Sequence, residues 1–86
     1  MTKTEVIDLA KERLSQVGHG IVFDVIESGV RQDDSWWYVP VLATRNGRDV
    51  PREITVGVYS NIEDDLERQH NVNVLFVPVV SEPAAG

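Results

Sequence analysis

Nine consecutive residues, Trp36-Trp37-Tyr38-Val39-Pro40-Val41-Leu42-Ala43-Thr44, carry no charge. Aromatic and β-branched residues in such a run, with Arg31-Gln32-Asp33-Asp34-Ser35 as a turn signal before it, predict a strand. Side chains alternate across a strand. Trp37, Val39, Val41 and Ala43 therefore share one face, and Trp36, Tyr38, Pro40 and Leu42 the other. Neither face is polar. A sheet built on this strand must be covered on both sides, or it presents large apolar groups to something outside the domain.

The rest of the chain limits how much cover there is. Its 86 residues make one small domain, and a domain of this size buries only roughly 60–70% of its unfolded surface. Residues 2–17 predict an amphipathic helix. Val6, Ile7, Ala10, Leu14 and Val17 form its apolar stripe, Thr2 and Glu5 match a capping box, and Gly18 is the expected stop. Residues 20–30 predict a strand, with Ile21, Phe23 and Val25 on one side and Val22, Asp24 and Ile26 on the other. Residues 74–80 predict a third strand. The domain spans 1–82, and Pro83-Ala84-Ala85-Gly86 reads as a flexible tail.

Residues 51–70 admit two readings. In the first, Ile54-Thr55-Val56-Gly57-Val58-Tyr59 is a further strand, turned by Asn46-Gly47, with Ser60 and Glu63 capping a short helix over 61–70. In the second, one helix runs through the segment. Val50, Ile54, Val58, Ile62 and Leu66 recur every four residues, and Pro51 suits a first helical position. Gly57 opposes it by about 1 kcal/mol relative to Ala.

The segments Trp36-Trp37-Tyr38-Val39-Pro40-Val41, Ile62-Glu63-Asp64-Asp65-Leu66-Glu67 and Asn73-Val74-Leu75-Phe76-Val77-Pro78 resemble a group of small uncharacterised bacterial proteins. The resemblance implies a helix–strand–strand–helix–strand domain with a continuous second helix, and no known activity. The chain departs from that group over 54–59, where the relatives have better helix formers.

The expected fold is therefore α+β, a two-layer αββαβ sandwich with both helices on one face of a three-stranded sheet. The alternative is αβββαβ, with 54–59 as the extra strand. Proline lacks a backbone N–H and is mostly confined to sheet edges or bulges. Pro40 and Pro78 lie in the second and third strands, which puts the first strand in the centre and gives the order 2-1-3. The third strand then returns antiparallel to the first by a right-handed crossover. One sheet face stays bare, and its expected residues are Trp36, Tyr38, Leu42, Val22 and Ile26. Such a patch exceeds what a monomer usually exposes and predicts self-association or a protein partner.

A weaker candidate is an anion site. Arg45, Arg48 and Arg52 surround Asn46-Gly47, and the N–H groups of a helix starting at 51–53 would assist a phosphate or carboxylate. Catalysis finds little support. His19, between two glycines, and His70, at the end of the second helix, suit local roles, and no serine sits in a nucleophile elbow. Cysteine is absent, which removes thiol chemistry and Cys-based zinc sites and suits a reducing cytoplasm. No cofactor or metal is expected. The apolar runs are far short of the ~20 residues of a membrane span. Eight basic against 14 acidic residues give a net charge of −6, which disfavours nucleic acid.

Overall fold

The computed structural model describes residues 1–17 and 20–80. Gly18, His19 and the tail from Ser81 lie outside the described residues, so the expected helix stop, the role given to His19 and the tail assignment do too. Helix α1 spans Lys3–Ser15 and opens with the expected capping box. Thr2 accepts from the Glu5 N–H, and the Glu5 carboxylate accepts from the Thr2 N–H. The Thr2 N–H donated to the Glu5 carboxylate, with the Thr2 hydroxyl adding to it, holds that carboxyl below its ordinary pKa because donors favour the ionised form. Val6, Ile7, Ala10 and Leu14 are buried along its inner stripe.

The first predicted strand is interrupted. Strand β1 is Val22–Val25, a 3-10 turn occupies Glu27–Gly29, and β2 is Arg31–Asp33. Residues 31–33, read from sequence as part of a turn, are thus a short strand. The turn itself narrows to Asp34 and Ser35, with Asp34 at φ 59°. Strand β3 runs Trp36–Arg45. Asn46 and Gly47, both at positive φ, close a hairpin onto β4, Arg48–Asp49. This is the backbone that an Asn-Gly pair favours.

Helix α2 then runs unbroken over Arg52–His70, so 54–59 is helical and the extra-strand alternative falls. Tertiary packing overrides local propensity here. The buried stripe is Thr55, Tyr59, Ile62 and Leu66, while Ile54 and Val56 face outward. The expected four-residue spacing from Val50 holds only from Ile62 onward. Ser60 and Glu63 are mid-helix and form no cap. Asn71 ends the helix in the left-handed region at φ 54°. Strand β5, Asn73–Val79, follows.

All four other strand segments pair with β3. A strand has two edges. Strand β5 lies parallel along one, from Trp36↔Asn73 to Leu42↔Val79. Strands β2 and β1 pair antiparallel with 36–38 and 41–44, so they share the opposite edge. The central strand is therefore β3, not the first strand, and β5 neighbours β3 rather than β1. The expected order 2-1-3 is corrected on both points.

The physical reason lies at Pro40. The Pro40 carbonyl accepts from the Ile26 N–H, so the missing N–H of Pro40 points to the same edge, where the 26–30 bulge leaves no ladder position to fill. Pro78 is tolerated differently. The Phe76 N–H points away from β3, to the Glu63 carboxylate. Pro78, two residues on, points its missing donor to the same free edge.

Both helices pack on one face of this mixed sheet, making a two-layer α+β sandwich. The core joins Val6, Ala10 and Leu14 of α1 to Tyr59, Ile62 and Leu66 of α2. They pack over Val25, Trp37, Val39, Val41, Val74 and Phe76 of the sheet. Tyr59 sits at the centre of an aromatic group, 5.2 Å from Phe76 and 6.1 Å from Phe23 between ring centroids.

Candidate functional site

The alternation of β3 is resolved by which of its faces the helices cover. Trp37, Val39, Val41 and Ala43 are buried, and Trp36, Tyr38, Pro40 and Leu42 turn to the other side. Register extends that outer face. In a parallel or antiparallel pair, residues directly opposite point to the same side. Strand β5 adds Leu75, Val77 and Val79 beside Tyr38, Pro40 and Leu42. Strand β1 adds Val22 beside Thr44 and Asp24 beside Leu42, and β2 adds Arg31 and Asp33 beside Tyr38 and Trp36.

The result is an apolar sheet face without cover among the described residues. Trp36 is 42% exposed, Leu75 41%, Val77 37% and Val22 63%. Tyr38, Pro40 and Leu42 are half-buried by their neighbours. The Arg31 guanidinium lies 5.4 Å from the centre of the Tyr38 ring, a cation–π contact that shields one side of it. Ile26 is half-buried where the bulge begins. Trp36, Tyr38, Leu42 and Val22 are thus on one surface, and Ile26 lies at its margin.

Leu75, Val77 and Arg31 are the members that sequence reading missed. Alternation alone gives two faces for β5, but only pairing with β3 says which of them joins Trp36. Arg31 was hidden by its assignment to a turn.

The three candidate arginines are not gathered into a pocket. Arg45 and Arg48 oppose each other across the β3–β4 hairpin, and both are exposed. Arg52 opens α2 and borders a cavity of about 190 Å³ walled by Asp49, Thr55, Tyr59, Pro78 and Val79. An acidic side chain shares that wall, so the cavity does not concentrate positive charge. His70 ends α2, exposed. Among the described residues no cluster of three or more His, Cys, Asp or Glu could hold a metal ion. No described helix is long and apolar enough to cross a membrane.

Two ionisable groups are perturbed by burial. Tyr59 has its hydroxyl pKa pushed up to about 12, because desolvation penalises the phenolate. Glu63, half-buried on α2, has its pKa raised by burial, against the lowering effect of the Phe76 N–H it accepts. The Asp64 charge beside Glu63 adds to that rise. Glu63 serves the sheet edge and Tyr59 the core.

No family model, no curated protein and no solved structure matches this chain. The resemblance to small bacterial proteins therefore rests on the quoted segments alone.

Proposed function

We propose that this domain is a non-catalytic interaction module that self-associates through its open sheet face. The observation that carries the reading is the continuous outer surface of Trp36, Tyr38, Leu42, Leu75, Val77 and Val22. Contiguous apolar faces of this kind, rimmed by polar residues, mark interfaces. Trp and Tyr anchor them because each brings a large rigid area with a polar tip.

A second copy fits this face better than an unrelated partner. Along one edge of β3 the same surface carries Arg31, beside Tyr38, between Asp33, beside Trp36, and Asp24, beside Leu42. In a two-fold interface each patch meets itself turned around, so a patch carrying both signs can oppose unlike charges. The free edge of β5 suits such a role less well. Glu63 takes the Phe76 N–H there, and Pro78 has none to offer, which blunts pairing by strand addition. The cysteine-free chain agrees with a reducing compartment, and the reading places the dimer in the cytoplasm. The net charge of −6 gives nucleic acid no electrostatic footing.

The test is the solution mass by light scattering across a concentration series. One chain is 9.6 kDa. The expected wild-type value is twice that, falling to the single-chain value in Trp36→Glu and in Leu75→Lys with circular dichroism unchanged. A wild-type chain that stays monomeric at millimolar concentration, and binds no apolar dye, would end the proposal.

A further inference from the structure

The outer face of the sheet is a grid with charge beside only one edge of its apolar rows. The rows follow β3, from Trp36 through Tyr38, Pro40 and Leu42 to Thr44. The β5 column beside the first four of them, Asn73, Leu75, Val77 and Val79, is uncharged. The opposite column places Asp33 in the Trp36 row, Arg31 in the Tyr38 row, Asp24 in the Leu42 row and Val22 in the Thr44 row. The bulge at 26–30 takes up the Pro40 row. Arg31 and Asp24 thus lie symmetrically about the middle row. They are separated by the span from Tyr38 to Leu42, about 13 Å, and no ion pair joins them. The Arg31 guanidinium is held over the face by the Tyr38 ring. Asp24 is exposed, and the Lys11 ammonium whose field it adds to is bonded to Glu27.

This layout selects among the ways two copies can meet. Face-to-face sheets can be related by a two-fold axis along the strands or across them. An axis along the strands turns one column onto the other. It sets Arg31 and Asp24 against Leu75 and Val79 and desolvates both charges without partners. Moved towards β5, the same axis leaves Val22 and the charged column uncovered. An axis across the strands lays each column on itself in reverse. Centred on the Pro40–Val77 row, it covers every row from Trp36 to Thr44. Tyr38 then meets Leu42, Trp36 meets Thr44 and Val22, and Arg31 of each copy meets Asp24 of the other. Facing sheets stand about 10 Å apart with their strands turned by about 30°, a displacement that an arginine side chain spans.

We infer that the second copy docks by this transverse two-fold axis, with reciprocal Arg31–Asp24 ion pairs flanking Pro40 and Val77 and setting the register. This alignment rests on the self-association proposed for the open face. The apolar residues hold the copies together, and the charged pairs at the rim fix the register and exclude mismatched alignments. Asp33 has no such role, since it meets the Thr44–Val22 end and no cation.

Charge exchange tests the alignment, read as the dimer dissociation constant in a light-scattering dilution series with circular dichroism as the check on folding. Arg31→Asp and Asp24→Arg each bring like charges together twice and should weaken the dimer about tenfold. The double variant Arg31→Asp/Asp24→Arg reverses both pairs and should recover most of that loss. An equimolar mixture of the two single variants should also dimerise, because one copy is then acidic and the other basic at both places. Arg31→Asp/Asp33→Arg has the same net charge as the first double variant with the cation misplaced, and should stay weak. A monomeric wild-type chain ends the reading of the face as an interface. A dimeric wild type in which exchange brings no recovery, or in which the Asp33 variant recovers as well, overturns the transverse axis alone. The cysteine-free chain allows a second measurement with every charge in place. Val77→Cys lies on the axis and should be joined to its counterpart by a short bis-maleimide. Val22→Cys, on the same face, lies the span from Trp36 to Thr44, about 26 Å, from its counterpart and should not. A dimer that links through Val22→Cys and not through Val77→Cys, or through neither, overturns the axis as well.

Discussion

Gly29 lies against the ring of Pro40, so close that a Cβ built on Gly29 would stand 2.9 Å from the proline Cγ. This contact explains how a proline occupies the middle of the central strand. The 3-10 turn at Glu27–Gly29 swings the chain out of the ladder, and the proline ring occupies the space a side chain at Gly29 would need. The bulge and the proline are one device.

Gly29→Ala should therefore destabilise the fold by about 1–3 kcal/mol, the usual cost of an overpacked contact. The ring is stiff and cannot swing aside as a long side chain would. In a urea-unfolding double-mutant cycle, Pro40→Ala should recover most of that loss, because the clash needs both partners. Purely additive effects would show that the two residues are not coupled.

Gly57 offers the opposite experiment. It lies in the middle of α2, exposed, with no atom within 4 Å of the position a Cβ would take. Gly57→Ala should raise stability by about 1 kcal/mol through helix propensity alone. Were this segment a strand in solution, alanine would bring no such gain. The shift in urea midpoint and the helical circular-dichroism signal together decide it.

Glu63 predicts a pH dependence of definite sign. Its folded pKa lies above the ordinary 4.5, burial being the first cause, with the nearby Asp64 charge adding to it. The folded state therefore holds more protons than the unfolded state between 4.5 and the raised value. Stability from this group is full below that window and falls as pH rises through it. Glu63→Gln keeps an acceptor for the Phe76 N–H and removes the charge, so its advantage over wild type should grow as pH climbs. Glu63→Ala leaves that N–H without its carboxylate and should cost about 1 kcal/mol at low pH, with the cost shrinking as pH rises and the wild-type contribution fades. Urea midpoints measured across the acidic range compare all three.

Tyr59 is 4% exposed, and its hydroxyl meets no hydrogen-bond partner among the described residues. Tyr59→Phe should be close to neutral in stability, whereas Tyr59→Ala should cost about 3–5 kcal/mol by opening a cavity between Phe23 and Phe76. In an ultraviolet titration Tyr59 should ionise near 12, as burial disfavours the phenolate. Because the raised group prefers its neutral form when folded, the protein should lose stability as pH passes from 10 towards 12. Ionisation of Tyr59 at its ordinary value would show that the ring is not buried as described.

The local elements were legible because each is encoded in a short stretch. The α1 stripe and its Thr2–Glu5 cap follow from residues three and four apart. The Asn46-Gly47 hairpin follows from two residues that accept positive φ. The two faces of β3 follow from alternation, and so does the expectation that one of them would be left open. What alternation leaves undecided is which face, and here tertiary structure chose. The helices settle on Trp37, Val39 and Val41, whose neighbours Val25, Val74 and Phe76 complete a core, and Trp36, Tyr38 and Leu42 are left outside.

Strand order and the path of 54–59 were decided by packing at a distance. Pro40 suggested an edge strand, but a proline needs only a place where no partner awaits its N–H, and a bulge provides one within a central strand. Residues 54–59 carry strand-like side chains. They are helical because Thr55 and Tyr59 continue the buried stripe of Ile62 and Leu66, and Tyr59 fits between Phe23 and Phe76. No window of neighbouring residues contains those partners. The sequence by itself determined where the chain turns and which side chains share a face. Only the folded molecule, by pairing β3 on both of its edges at once, determined what those faces meet.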